Sequence, residues 1–348
     1  MLNLNINNVS IKGLSVVVPK NELRLEDDKR LYDGNAKRLK RVMASTGFCC
    51  RRVVDKGITS SDLCVRAAEN LFKEMRYNKN ELQAIVFVTQ TPDYYMPASA
   101  SIMQERLKLS QSIATFDVNQ GCAGYVYGLW IVSSLIAGGL KRVLLLVGDT
   151  LSKCTDMFRD GSAPIFGDSG SATIVEFDEK AQAIHFNIGT DGSGCEVIMA
   201  KNGGFRNVPT KDMFYESGEF KYESQMDGAK VMEFTLDKVP LSIKELLQVS
   251  NEKIENIDYF IMHQANKFIL ENIAINTGIP LEKMPTSTIS KYGNQSCTSI
   301  PSALCDTISK ELSTKAVKLL LSGFGIGLTW ASCILTLDKI VCTQIKEY

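Results

Sequence analysis

The chain has 348 residues, 45% of them hydrophobic and 22% charged, and its 39 basic and 39 acidic side chains leave a formal net charge of zero. This is globular material, enough for one large domain or two fused ones with a well-buried core. It excludes a disordered chain, and without a basic tract interleaved with aromatics no nucleic-acid surface is expected.

The opening "MLNLNINNVS" has no basic region followed by a sustained apolar stretch, and no apolar run approaches the roughly 18 residues of a membrane span. No membrane association is expected. The ten cysteines are scattered, without a disulfide framework or C-x-x-C spacing, which points to a reducing, cytoplasmic setting. Two histidines, His185 and His263, are poor material for a zinc site, so no metal is expected.

In chain order the first strong feature is the basic run "NAKRLKRVM", a solvated helix face or a docking patch for an acidic partner. Strand and helix then alternate: "IVFVTQ", a helix near "PASASIMQERLKL", "ATFDV", the helix after Cys122, "RVLLLVG" and "SATIVEF". A second series follows with "YFIMH", "KFILENIAINTG", the Asn294 turn, "SIPSALCDTISKEL", "VKLLLSG" and "CILTL". The strands are near-continuous apolar runs, as expected when helices cover both faces of a sheet. The helix after Cys122 carries Tyr125, Val126, Leu129, Trp130, Val132, Leu135 and Ile136 nearly all round, which places it between layers.

The two series are related by a weak internal duplication. Shifting the chain by 175 positions lays "NQGCAGYVYGL" from Asn119 on "NQSCTSIPSAL" from Asn294, "RVLLLVG" on "VKLLLSG", and "LQAIVFVTQT" on "IDYFIMHQAN". After Gly148 the shift falls to 160, so the first half carries about 15 extra residues around "MFRDGSAPIF", a loop candidate for function. The expected fold is an α/β layered sandwich of two duplicated halves, residues 1–180 with Cys122 and 181–348 with His263 and Asn294. In such sheets ligands collect beyond the carboxyl ends of the strands, where Cys122, His263 and Gly323 fall.

Cys122 sits at a strand-to-helix junction, where free backbone N–H groups and the helix dipole favour thiolate and make a nucleophile. Its repeat mate Cys297 has a similar local position, so the junction alone leaves both open. His263 ends an apolar strand and is expected to emerge in the layer of Cys122. Asn294 follows Tyr292-Gly293 ahead of a helix, where N-capping is an alternative role. His185, inside the alternating "AIHFNI", reads as structural.

The segments "DVNQGCAGYVYGL", "IFGDSGSATIVEF", "MHQAN", "KYGNQSCTSIPSAL" and "SGFGIGLTW" resemble, in order and spacing, the motifs of ketoacyl-acyl carrier protein synthase III in the thiolase superfamily. The resemblance spans nearly the whole chain, from "IKGLSVVVPKNEL" to "ASCILTL", and implies a thiolase-like αβαβα sandwich and a condensing acyltransferase. It implies that Cys122 is the acylated nucleophile and that His263 and Asn294 assist decarboxylation of a malonyl-type thioester. It also implies an acyl oxyanion hole made by the backbone N–H groups of Cys122 and Ile326. The chemistry suits these residue types: a thiolate stores the acyl group as a thioester, and hydrogen-bond donors stabilise the enolate that decarboxylation creates.

Acyl carrier protein and coenzyme A thioesters are the implied partners, with no cofactor beyond the thioester substrates. A homodimer is implied as well, in which Met96 of "YYMPAS" enters the neighbour's site. Phe324, Lys267 and Arg41 are the further substrate-binding candidates, and Ile326 stands where the family commonly has glycine. Arg41 and Ser45 stand where a Trp and an Arg hold the coenzyme A nucleotide, and Asp160 takes the place of an arginine displaced to Arg159. These replacements favour an acyl carrier protein over coenzyme A, docked through "AKRLKR" and Arg51-Arg52. The rival readings are a non-decarboxylating acyltransferase and a thiol hydrolase or silent scaffold. The hydroxymethylglutaryl-type branch needs a glutamate base that "VFVTQTPDYY" lacks.

Overall fold

A computed structural model describes residues 1–27, 34–154, 165–216, 218, 220–221 and 224–348. Most of the insertion expected around "MFRDGSAPIF", including Arg159 and Asp160, lies outside the described residues. Strands β1 (Leu2–Ile6) and β2 (Val9–Val18) open the chain, and an antiparallel pair, β3 (Asn21–Arg24) and β4 (Cys50–Val53), brackets helix α1 (Ala36–Thr46). Then come α2 (Ser60–Met75), β5 (Ala84–Val88), α3 (Ser99–Arg106), β6 (Ala114–Val118), α4 (Gly124–Ala137), β7 (Arg142–Asp149) and β8 (Ser169–Phe177). The next stretch holds β9 (Ile184–Thr190), the paired β10 (Ile198–Ala200) and β11 (Ser224–Met226), α5 (Gly228–Val249), β12 (Tyr259–Met262) and α6 (Lys267–Thr277). The chain ends with α7 (Ser287–Tyr292), α8 (Ser299–Thr307), α9 (Ser309–Thr314), β13 (Ala316–Gly325), β14 (Thr329–Asp338), β15 (Val341–Cys342) and β16 (Lys346–Glu347).

Two mixed sheets carry the fold, in the orders β15-β2-β8-β7-β5-β6 and β1-β9-β14-β13-β12, with β16 also on β2. The duplication is visible in these orders, because β2, β8, β7 and β5 correspond to β9, β14, β13 and β12. Outer strands are exchanged: β1 lies antiparallel on β9, while β15 and β16 lie parallel on β2. One correspondence fails. The stretch that the 175-residue shift would match to β6 falls largely in α7, so the second sheet stops at β12.

The layers follow from which face each side chain takes. In β5, Val86 and Val88 join the central core with Val126, Leu129 and Val132 of α4 and Ile300 and Leu304 of α8. Ile85 and Phe87 face the other way, onto Leu63, Ala67 and Leu71 of α2. On the second sheet, Leu319 and Leu321 of β13 point to the centre. Leu320, with Phe260 and Met262 of β12, instead meets Phe234 and Ile243 of α5 and Leu270 and Ile273 of α6. The result is helix, sheet, helix, sheet, helix: the αβαβα sandwich of the thiolase-like fold. Both faces of each sheet are buried, which is why the strands read as continuous apolar runs instead of alternating ones. No helix among the described residues is long and apolar enough to cross a membrane.

The central helix α4 should be the least tolerant of truncation, since Leu129 is buried between the sheets. Leu129→Ala is expected to cost about 2–5 kcal/mol, read as a drop in the urea midpoint with an unchanged slope. A loss below about 1 kcal/mol would mean that the middle layer relaxes around the missing atoms.

Candidate active site

Cys122 lies in the turn between β6 and α4, two residues before the helix begins. The turn is tight, with the Gly124 N–H donating to the Gly121 carbonyl at 2.6 Å. Gly121 has no room for a side chain, because an added Cβ would collide with the Gln90 side chain and Ile326. From the other sheet, the end of β13 presses against the same turn. A Cβ at Gly323 would stand 2.7 Å from the Ala123 Cα, and one at Gly325 would stand 2.8 Å and 2.9 Å from the Cβ and Sγ of Cys122.

This contact brings the Ile326 N–H to the cysteine sulfur, which is also bonded by its own backbone N–H. Cys122 keeps some surface toward the cavity, yet its sulfur is closely enclosed by protein. The expectation that the junction would favour thiolate is therefore corrected. Burial of the sulfur, followed by the nearby Asp149 carboxylate, pushes the thiol up to about 12 and outweighs those N–H groups.

His263 continues β12, its N–H donating to the Ser322 carbonyl of β13 at 2.7 Å. Its ring is buried at 2% exposure, packs edge-on to Phe324 at 5.5 Å between centroids, and places Nδ1 2.7 Å from Ser299 Oγ at the start of α8. Burial lowers the imidazole to about 3, so the ring is neutral throughout the physiological range. Asn294 is held at both ends of its backbone, donating to the Ile165 carbonyl at 2.7 Å and accepting from the Gly167 N–H at 3.0 Å. Its side-chain Oδ1 accepts from the Ser296 N–H at 2.9 Å, and its Nδ2 has no partner among the described residues. The amide is left as a donor.

Cys122, His263, Asn294, Phe324 and Ile326 all line one cavity of about 950 Å³ that includes its open mouth. The β10–β11 pair and α5 form another wall, through Met199, Met226, Val231 and Thr235. Two of the expected substrate-binding residues, Arg41 and Lys267, do not line it, and Met96, expected to enter a neighbour's site, lies on the surface. Met96 is 73% exposed on the surface of the chain, Arg41 is exposed on α1, and Lys267 opens α6 and pairs with Glu271. The repeat mates Cys122 and Cys297 are sorted too: Cys297 is buried away from the cavity, 3.2 Å from Asp149 Oδ2.

Asp149 does not stand out in the sequence. Its Oδ1 accepts from the Gln90 N–H at 2.7 Å, Thr89 Oγ1 at 3.1 Å and Thr91 Oγ1 at 3.2 Å, yet burial still raises its pKa. Gln90, Ser296 and Ser299 also escape sequence reasoning. The two serines stand in "NQSCTS", where the repeat mate "NQGCAG" has glycines, and that contrast is the signal that could have found them. Arg51 and Arg52, expected to meet a carrier, are committed elsewhere. Arg51 is buried on the Phe166 carbonyl, and Arg52 pairs with Glu22 and Glu347.

Residues 116–192 match the family described as 3-oxoacyl-[acyl-carrier-protein (ACP)] synthase III, and residues 247–337 match its C-terminal family. A beta-ketoacyl-[acyl-carrier-protein] synthase III from Clostridium tetani is 33% identical over 333 residues, covering 94% of this chain and 98% of its own. The chain belongs to the 3-oxoacyl-[acyl-carrier-protein] synthase III family. A second relative in that family, the beta-ketoacyl-[acyl-carrier-protein] synthase III 2 of Bacillus anthracis, is 34% identical over 330 residues, covering 94% of this chain and 98% of its own. The crystal structure of a 3-oxoacyl-(acyl-carrier protein) synthase from Burkholderia xenovorans LB400 superposes with a TM-score of 0.92 at 33% identity, over 100% of this chain and 99% of that one. The protein is thus a condensing acyltransferase of the synthase III type, on the thiolase-like fold.

The close approach of β13 and the burial of the thiol can each be tested. Gly325→Ala is expected to abolish acylation of Cys122 while leaving a folded protein, because the added methyl displaces the turn from the Ile326 N–H. Normal acyl-adduct yield by intact mass would refute the close approach. Alkylation of Cys122 by iodoacetamide should keep rising with pH past 9, since the thiol's pKa is raised and thiolate grows up to about 12. A plateau below about pH 8 would show that the backbone N–H groups outweigh burial after all.

Proposed function

We propose that Cys122 takes the acyl group from a priming thioester and that His263 and Asn294 serve the decarboxylative condensation with a malonyl-type thioester. In the first half-reaction the sulfur forms a new thioester, the carrier thiol leaves, and the proton lost by Cys122 ends on that thiol. The N–H groups of Cys122 and Ile326 would bond the carbonyl oxygen as it gains charge, a role supported by their reach to the sulfur. In the second, loss of carbon dioxide from the malonyl group leaves an enolate whose carbon attacks the acyl carbonyl. The Cys122 thiolate is released and takes up a proton. No metal or redox group enters this scheme, and none is proposed.

The observation that carries the reading is Asn294. Its Oδ1 is occupied by the Ser296 N–H, so only the donor end of the amide remains, at the wall of the cavity that holds Cys122. Simple acyl transfer has no enolate and no use for that donor. Neutral His263, lining the same cavity, adds no charge that would stabilise the malonyl carboxylate against departure.

For the priming carrier, we propose an acyl carrier protein over coenzyme A. Ser45 has no guanidinium to fork onto phosphate, and its hydroxyl already donates to the Val42 carbonyl at 3.1 Å. Lys37, Arg38, Lys40 and Arg41 lie on α1, and the turn after α1 rests on Lys267, since a Cβ at Gly47 would be 3.0 Å from the Lys267 Cβ. This cationic surface supports docking of an acidic carrier without Arg51 and Arg52. A homodimer belongs to the same reading: β6 ends its sheet with no further strand beside it among the described residues, and Tyr94, Tyr95 and Met96 are exposed. A cytoplasmic setting is supported by ten free cysteines.

Asn294→Ala should keep the acyl adduct on Cys122 and lose roughly 100-fold in carbon dioxide release from a malonyl thioester. Wild-type protein that acylates readily yet never decarboxylates malonyl thioesters would hand the function to the transferase reading. With one acyl group on the two carriers, the carrier-protein form should acylate Cys122 faster, and its advantage should shrink as salt rises. A faster coenzyme A reaction with little salt dependence would mean that the nucleotide is gripped by other residues.

A further inference from the structure

The two ring nitrogens of His263 have different surroundings. Nδ1 lies 2.7 Å from Ser299 Oγ, and that hydroxyl donates to the Ser296 carbonyl at 2.9 Å. Nε2 has no partner among the described residues, and the cavity is what remains for it to face.

Ser299 has one hydroxyl proton to give. Donated to the Ser296 carbonyl, it leaves the Ser299 oxygen as an acceptor toward Nδ1, so Nδ1 must carry the ring proton. The reverse arrangement, with Ser299 donating to Nδ1, takes that proton away from the Ser296 carbonyl. All three groups are enclosed, with His263 at 2% exposure and Ser296 and Ser299 at 1% each, so hydrogen-bond partners are scarce and each arrangement is well defined. Asn294 offers a contrast, because its amide is already pinned as a donor by the Ser296 N–H.

We propose that Ser299 is a positioning residue that selects the tautomer of His263: Nδ1–H in the resting enzyme, with a bare Nε2 at the cavity, and Nε2–H only when the Ser299 hydroxyl turns from the Ser296 carbonyl to Nδ1. The resting ring therefore accepts a hydrogen bond at Nε2 and cannot donate one to an enolate. In the exchange Nε2 takes up a proton from water in the cavity and the Nδ1 proton is returned to water, so the ring stays neutral. A donor role for the ring in the second half-reaction requires the turned state, so the switch rests on the condensation reading given above. Neutrality sharpens the choice: with the imidazolium suppressed by burial, one ring nitrogen is always bare.

The chain's two histidines make the tautomer directly observable. In uniformly ¹⁵N-histidine-labelled protein, with His185 assigned by a His185→Gln variant, His263 in the resting enzyme should show a pyrrole-type Nδ1 and a pyridine-type Nε2. On acylation of Cys122 and addition of a malonyl thioester analogue that cannot lose carbon dioxide, the two signals should exchange character. Ser299→Ala should stay Nδ1–H in both states, form the acyl adduct within about twofold of wild type, and lose about 10-fold or more in decarboxylation, with Ser299→Thr restoring the exchange of signals. A pyrrole-type Nε2 in the resting wild type, or no exchange with both ligands in place, overturns the proposal whatever the variants do. Ser299→Ala that decarboxylates at the wild-type rate overturns it as well. Failure of the condensation reading is separately visible, as wild-type protein that never releases carbon dioxide.

Discussion

The site depends on one steric constraint: the end of β13 must touch the Cys122 turn with nothing in between. Cys122 follows a strand of the first sheet and Ile326 a strand of the second, and they meet because Gly121, Gly323 and Gly325 leave no side-chain volume at the crossing. The branched side chain at Ile326 is tolerated there because it is the backbone N–H that reaches the sulfur. That N–H could not act from farther away, since a hydrogen bond needs its donor and acceptor near contact distance.

Desolvation is the second shared feature, and it acts on each group according to its charge. Burial raises the Cys122 thiol and the Asp149 carboxylate and lowers the His263 imidazole, so the thiol and the ring are uncharged in the resting site. With the thiol and the imidazole uncharged, the fixed N–H groups act on an anion that forms during reaction in a medium that screens them weakly. The high resting pKa of Cys122 is consistent with this logic. Thiolate is disfavoured until a carbonyl carbon is present to take the electron pair.

The sequence was most legible where a strand ends in a chemically unusual residue. Apolar runs located the strands, the turn after β6 exposed Cys122, and His263 stood out at the end of β12. What stayed hidden depends on contacts between distant segments. The exchange of outer strands between sheets leaves little local trace, because β1 interleaves its apolar residues with asparagines and β15 is only two residues long. The α7 helix in place of a second β6 follows from packing that overrides the repeat. Arg51 looks like a surface cation until the Phe166 carbonyl is brought beside it from over a hundred residues away. Cys122 itself illustrates the limit: its position was readable, but its pKa depends on how deeply the fold buries the sulfur.

The duplication shows how one local structure was put to two uses. At corresponding turns stand Cys122 and Cys297, Gly121 and Ser296, Gly124 and Ser299. In the first turn the glycines let other groups approach closely, and the thiol lines the cavity. In the second, Cys297 turns inward to Asp149, and the positions held by glycine in the first turn carry serines. The Ser296 N–H holds the Asn294 amide, and the Ser299 hydroxyl meets His263 Nδ1. Asn119 and Asn294 are also repeat mates, yet among the described residues only the second has a hydrogen bond that commits its side chain as a donor at the cavity. The first copy thus supplies the nucleophile and the space around it, while the second supplies the hydrogen-bonded frame that orients the groups acting on whatever that nucleophile holds.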